Sequence, residues 1–247
     1  MSDNNKKVEE LFKAGAHLGH KSNKIHPKAK KYIYTMDQGT SIIDLTKTAD
    51  LLEKAKAFIE SLAKENKKLL IVMTKRVSAN FVNEIAKAND ISHITVKWPA
   101  GLLTNFDMII KNAKKLNKMK EDKESGAWNK FVKHEQMKLQ KEINKLEKFY
   151  GGISKLDKKP DALFVVDIKK EKNAVKEAKE TGIPVVAVVD TNVDPENVTY
   201  QIPGNDDAAT SIDFFIQEIV GAYTRQKGKE SAVKTKAKTK VKSKSQD

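Results

Sequence analysis

The chain has 247 residues and a formal net charge of +14, from 47 basic and 33 acidic side chains. At about 150 residues per domain this is one large domain, or one domain with an appendage. It has no cysteine, which excludes disulfides, zinc ribbons and thiol nucleophiles and fits a cytosolic protein. The longest apolar run, Ile183–Val189, is far short of the ~20 residues that span a bilayer. The opening MSDNNKKVEE has no apolar segment behind its charges, so no secretory signal is expected.

The first informative segment is Lys21–Lys31, KSNKIHPKAKK. Lys21, Lys24, Lys28, Lys30 and Lys31 lie there without an acid, on a loop stiffened by Pro27. Such a loop suits phosphate contacts, or it is a solvated charge run. Tyr32, Ile33 and Tyr34 then alternate as a short strand with one tyrosine in the core. Ser41–Leu45 is a short apolar run. A helix follows over Thr46–Glu65, with Ala49, Leu52, Ala55, Ile59 and Leu62 at helical spacing. Leu69–Met73 reads as a buried strand. Ser78 caps a helix carrying Phe81, Val82, Ile85 and Ala86 on one face. Ile94–Lys97 is the next expected strand.

Residues 105–149 interrupt this alternation with 12 lysines and 7 acids. Ile109, Ala113 and Leu116 fall at helical spacing. Val132, Leu139 and Leu146 are seven apart, with Ile143 and Tyr150 on the same seam. The narrow stripe, broken near Ser125-Gly126, predicts two helices folded back as an antiparallel hairpin, a short coiled coil projecting from the main domain.

The alternation resumes with a strand at Ala162–Val166, a helix over 170–181 ended by Gly182, and a strand at Ile183–Val189 that opens with Pro184. A short strand over Thr199–Ile202 and a helix from Asp207 to Arg225 close the domain. The last 21 residues hold eight lysines and two acids with almost nothing apolar, and are expected to form a disordered tail.

Near-continuous apolar strands separated by amphipathic helices indicate an α/β fold, a parallel sheet covered by helices on both faces. The predicted organisation is a discontinuous α/β domain over 1–104 and 150–226, the inserted basic hairpin at 105–149, and the tail at 227–247.

An open parallel sheet gathers ligands beyond the carboxyl ends of its strands. Asp167, Asp190 and Asp194 follow such ends, and an enzyme holding a metal or nucleotide there is the competing class. Against it, neither GxGxxG nor GxxxxGK[ST] occurs. Aspartates in such places also cap helices and close turns. His17, His20 and His26 match no standard zinc spacing, so no metal and no cofactor are expected. His93 and His134 are isolated. No serine–histidine–aspartate arrangement can be argued. Only Arg76 and Arg225 are arginine. Lysine neutralises phosphates well but reads base edges poorly, and a low-GC genome produces the same skew.

An ordered set of blocks carries a resemblance. These are Ala14-Gly-Ala-His-Leu-Gly-His20 with Pro27-Lys28, Thr74-Lys75-Arg76, and Trp98-x-x-Gly-Leu-Leu-Thr-Asn105. Leu146-Glu-Lys, Gly151-Gly-Ile153, Pro160-Asp-Ala-Leu-Phe-Val-Val-Asp167 and Gly182-Ile-Pro-Val185 follow. Asp190-Thr-Asn192, Asp194-Pro195 and Ile202-Pro-Gly-Asn-Asp-Asp-Ala208 complete it. From about Val8 to Arg225 the chain closely resembles the bacterial-type small-subunit ribosomal protein two family, "S-two".

The resemblance implies a flavodoxin- or Rossmann-like domain with a protruding helical hairpin. It also implies a non-enzymatic, cytoplasmic component of the ribosome. Its partners would be small-subunit ribosomal RNA, bound on the solvent side late in assembly, and neighbouring ribosomal proteins. Those include ribosomal protein one, which such proteins help to recruit. No membrane and no homo-oligomer are expected. The expected RNA-contacting residues are Lys21, Lys24, Lys28, Lys30, Lys31, Lys75, Arg76, Lys97, Trp98, Thr104, Asn105, Lys111, Lys114, Lys115, Lys118, Lys130 and Lys133.

Two departures from the family pattern stand out. Pro99-Ala100-Gly101 replaces one of two glycines that usually follow the tryptophan, so position 100 is not expected to need a positive φ. Met36–Ser41 lacks the basic residues that often precede the next strand.

Overall fold

A computed structural model describes the backbone of residues 3–243 and the side chains of residues 5–226. Helix α1 (Asp3–Lys13) leads into β1 (Leu18–Lys21), β2 (Ile33–Asp37) and β3 (Thr40–Ile43). These strands form a small antiparallel sheet in the order β1-β3-β2. Gln38 and Gly39 close the β2–β3 hairpin with φ of 45° and 79°, and Asp37 pairs with Thr40. A two-residue turn with both φ positive matches the twist of the flanking strands. The Ile42-Ile43 run therefore belongs to this sheet and not to the parallel one.

Asp44 starts α2 (Leu45–Lys64) by accepting from the Thr46 and Lys47 N–H groups. Next come β4 (Leu69–Val72), α3 (Ala79–Ala88) and β5 (Ser92–Ile94), then α4 (Phe106–Glu124) and α5 (Lys133–Tyr150). The chain continues through β6 (Ala162–Val166), α6 (Lys172–Thr181), β7 (Val185–Val189), β8 (Tyr200–Pro203) and α7 (Ala209–Ser243). Strands β4 to β8 form one parallel sheet in the order β5-β4-β6-β7-β8. That is the flavodoxin-like order, with the topological switch between β4 and β6.

The period-two alternation of the strands divides the core. Leu69, Ile71, Phe164, Val166, Val186 and Val188 face α2, α3 and α7. Leu70, Val72, Leu163, Val165, Val185 and Ala187 face α6, the loop after β5, and the start of α4. Both faces are covered, which is why these strands are apolar at every position.

The expected strand at Ile94–Lys97 lies instead at Ser92–Ile94, where backbone pairing with Leu70–Val72 sets the register. Helix α6 begins two residues later than expected, after Glu171. Helix α7 runs past Arg225 into the segment read as a disordered tail; side chains beyond Gln226 lie outside the described residues.

A turn at Ala127–Lys130 reverses the chain, and α5 runs back along α4. Asn112 reaches the Tyr150 hydroxyl at the base, and Lys123 reaches Gln140 near the turn. Leu116, Met119, Trp128 and Ile143 are buried between them, with Leu139 and Leu146 packed alongside. Val132 is not on this seam. It lies 65% exposed at the α5 N-cap, and Trp128 fills the apolar end. Ile109, Ile110 and Ala113 pack into the sheet's own core, so the first turns of α4 are continuous with the α/β domain.

Candidate nucleic-acid interface and the charged edge of the sheet

Loops after β4, β6, β7 and β8 meet at the carboxyl edge. The Lys75 ammonium, 14% exposed, lies 3.0 Å from Asp167, 2.8 Å from Asp206 and 2.9 Å from Asp207. It also donates to the Asp206 carbonyl at 2.5 Å. Burial works against the charge on Lys75, but the carboxylate of Asp206 and its neighbours outweigh that and raise its pKa. Asp206 is pushed up to about 7 by burial and by the nearby Asp190 charge. Asp190 accepts from the backbone N–H of Thr191 at 2.5 Å, and its second oxygen lies 3.1 Å from His20 Nδ1. That bond, opposed by burial and helped by the surrounding aspartates, raises the His20 pKa.

At the topological switch, Lys170 donates to the Thr74 carbonyl at 2.8 Å. Asp167, at φ +68°, accepts from the Lys170 N–H. Thr74 Oγ1 donates to the buried Glu171 carboxylate, whose pKa burial raises. The sequence-based grouping of three aspartates is therefore corrected. Asp167 and Asp190 join Asp206 and Asp207, while Asp194 caps the short helix Pro195–Asn197 and pairs with Lys28. Ligand atoms of His20, Asp190 and Asp207 lie within 4.8 Å of one another, close enough to share one cation. The same carboxylates already face Lys75 and the His20 ring. His17 stands apart, stacked on Phe12 at 4.4 Å. His26 caps the turn that begins at Pro27.

The expected RNA-facing residues divide by environment. In the basic loop, Lys28 pairs with Asp194 and with Glu196 at 2.6 Å, and Lys31 lies 3.5 Å from Glu196. Lys21, Lys24 and Lys30 are exposed and form no ion pair among the described residues. The His26 N–H donates to the Thr191 carbonyl at 2.8 Å, which moors the loop to the sheet edge. Tyr32 is buried and Tyr34 is 77% exposed. Arg76, Lys97, Thr104 and Asn105 are exposed. Lys111, Lys114, Lys115 and Lys118 on α4, Lys130 in the turn and Lys133 at the start of α5 are exposed. Among them Lys115 is paired, with Glu142, and Lys130 lies over the Phe131 ring.

Lys75 and Trp98 have internal roles instead. Trp98 is buried, and its indole N–H donates to Glu177 at 2.9 Å. The same carboxylate accepts from the Gly101 N–H at 2.8 Å and the Leu103 N–H at 3.0 Å. Burial acts to raise the Glu177 pKa, but Trp98 and the backbone donors hold it below the usual carboxylate range. Sequence reading missed Glu177. Its signal was an acid on the apolar face of α6, between Ala174 and Ala178. Gly101 sits at φ +91°. Ala100 is outside the positive-φ residues, so the position where this chain departs from the family pattern makes no such demand.

The model of the family described as Ribosomal protein S2 matches residues 11–226. The chain belongs to the ribosomal protein S2 family. Membership makes it a structural ribosomal protein of the small subunit, in a family that is not an enzyme family. It implies association with small-subunit ribosomal RNA and ribosomal proteins, and in bacteria a place on the cytoplasmic ribosome. Among the described residues no helix is long and apolar enough to cross a membrane. Several blocks that carried the resemblance build polar clamps: Thr74-Lys75, Trp98 to Leu103, Asp190-Thr191, and Asn205-Asp206-Asp207, where Asn205 Oδ1 also accepts from the Asp207 N–H.

Proposed function

We propose that this S2-family chain binds small-subunit ribosomal RNA chiefly through phosphates. The contacts come from the basic loop and from an inserted module over 105–149, whose helices act as a short antiparallel coiled coil. The chain works as one copy per subunit and supports the recruitment of ribosomal protein one. The observation that carries the RNA reading is the exposure of lysines that form no ion pair among the described residues: Lys21, Lys24 and Lys30 in the Lys21–Lys31 segment, Lys114, Lys118 and Lys133 on the helices. Exposed unpaired ammonium groups displace counterions from a phosphate backbone without first breaking an internal bond.

The test is salt-dependent binding to small-subunit ribosomal RNA, with co-sedimentation on a sucrose gradient. Lys21→Gln, Lys24→Gln and Lys30→Gln together should flatten the salt slope by up to about three ion-release units. An unchanged slope would remove the loop from the interface. Subunits lacking this chain should fail to retain ribosomal protein one; retention at the normal level would end that part of the reading.

A further inference from the structure

Between the loop after β5 and the base of α5 lies a cleft of about 630 Å³ that the loop and hairpin lysines do not account for. Pro99, Leu146, Phe149 and Tyr150 give it apolar and aromatic walls, and Lys97 and Lys145 are exposed at its margin. Its lining contains no acid, and neither lysine has an ion-pair partner among the described residues. Side-chain amides complete it: Asn112, which donates to the Tyr150 hydroxyl at 3.3 Å, and Asn173.

We propose that this cleft receives an unpaired nucleotide of RNA, its base against Phe149 and Pro99 and its phosphates on Lys97 and Lys145. The inference rests on the RNA-binding reading above and adds to it a single-strand site.

Three features support it. First, the wall is preformed. Glu177 holds Trp98, Gly101 and Leu103 with three hydrogen bonds, so little ordering cost falls on binding. Second, the charge selects the ligand class. Two unpaired ammonium groups beside an acid-free lining complement an anion. Aromatic and amide groups in the same cleft suit the face and edge of a base. Third, the cleft continues into a groove sharing Asn112, Lys145 and Leu146, which adds Lys115 and Lys141. The acid in that groove, Glu142, is held by Lys115 at 2.5 Å. A short single strand leaving the cleft would therefore follow lysines.

The full chain is titrated with a fluorescein-labelled 12-nucleotide single-stranded RNA, with the same sequence as a duplex, and with small-subunit ribosomal RNA. Phe149→Ala should weaken single-strand binding about 5- to 100-fold, the range of one lost base–aromatic stack, and change duplex binding less than about twofold. Lys97→Gln with Lys145→Gln touches no core residue and should lower the single-strand salt slope by about 1.4, at roughly 0.7 per phosphate. Ultraviolet cross-linking should place a nucleotide adduct on Phe149 or Tyr150. If Phe149→Ala does not fold, the lysine pair decides. Wild-type affinity and slope in the lysine variant, or adducts only outside the cleft, would overturn the inference while RNA binding itself stands. A cross-link from the cleft to another protein in assembled subunits would overturn it in favour of a protein partner. No salt-dependent binding of any RNA by the wild-type chain would remove the parent reading and this one together.

Discussion

The carboxyl edge of the sheet and the lysine-bearing surface of α4 and α5 both concentrate charge, and they use it in opposite ways. At the edge, Lys75 is 14% exposed and divided among three aspartates, and Asp206 is 2% exposed. On α4, Lys114 and Lys118 stand in solvent without an ion pair among the described residues. A buried charge must be matched inside the protein, because its desolvation is costly and nothing outside can reach it. An exposed lysine keeps its water and counterions until a polyanion displaces them. The contrast teaches that a basic composition does not locate a binding surface. Lys75 and Lys114 count equally toward +14, yet one holds loops together and the other is free to meet a partner.

Substitutions can break that contrast, and the largest effect belongs to the Lys75–Asp206 pair, of which Asp206 is buried and Lys75 largely so. Lys75→Ala leaves Asp167 and Asp206 facing each other without a cation, and should cost about 3–5 kcal/mol in urea denaturation. Per folded molecule it should leave RNA affinity unchanged. A stable variant with weakened RNA binding would put Lys75 back in the interface.

Ile143→Ala comes next. Ile143 is 4% exposed between α4 and α5, and its truncation should cost about 2–4 kcal/mol. Leu139→Ala should cost less, because Leu139 is only half-buried. Hydrogen exchange should show the loss in the distal halves of both helices. Protection should persist at Ile110 and Ala113, which belong to the sheet's core. Simultaneous loss of protection in β4, β6 and β7 would show that the hairpin and the sheet unfold as one unit.

A smaller effect tests the edge through pH. The His20 pKa is raised, first by its hydrogen bond to Asp190. A raised histidine contributes stability that is fully present below its unfolded pKa of about 6.5 and is lost as pH rises through the folded value. Wild-type protein should therefore lose more melting temperature between pH 6 and pH 8.5 than His20→Gln does. Asp206, raised to about 7, pulls in the same direction in both proteins, so the difference between them reports His20 together with its coupling to the neighbouring aspartates. Parallel curves would show that the Asp190 contact leaves the imidazole unperturbed.

The smallest stability change belongs to the exposed lysines. Lys114→Gln with Lys118→Gln should alter unfolding free energy by no more than about 0.5 kcal/mol. The same pair should reduce the salt slope for ribosomal RNA by up to about two units. That outcome would sharpen the contrast with Lys75, while loss of stability without loss of slope would reverse it.

The parallel sheet was legible because strands buried on both faces must be apolar at every position, as in Leu69–Val72 and Ala162–Val166. β1 was not, because Leu-Gly-His-Lys has no pattern of its own. Gly19 is nonetheless closely packed there: a Cβ would run into the side chains of Ser41 and Thr191. The seven-residue spacing placed Val132 on the helix seam, but α5 starts at Lys133 and Trp128 occupies the space. Of the basic positions, the loop lysines were legible as a group. The split among them was not, because Glu196 lies 168 residues from Lys28.

The sequence by itself determined the α/β alternation, the basic balance, the lysine-rich helical pattern between the strands and the ordered blocks that carried the resemblance. Each of these is local, a matter of which residues stand within a few positions of one another. The tertiary structure alone decided which charges are spent. Lys75 meets Asp206 across 131 residues, and Trp98 meets Glu177 across 79. Electrostatic and hydrogen-bond energies depend on distance and burial in space. No periodicity along the chain reports which lysine will find a carboxylate and which will be left facing water.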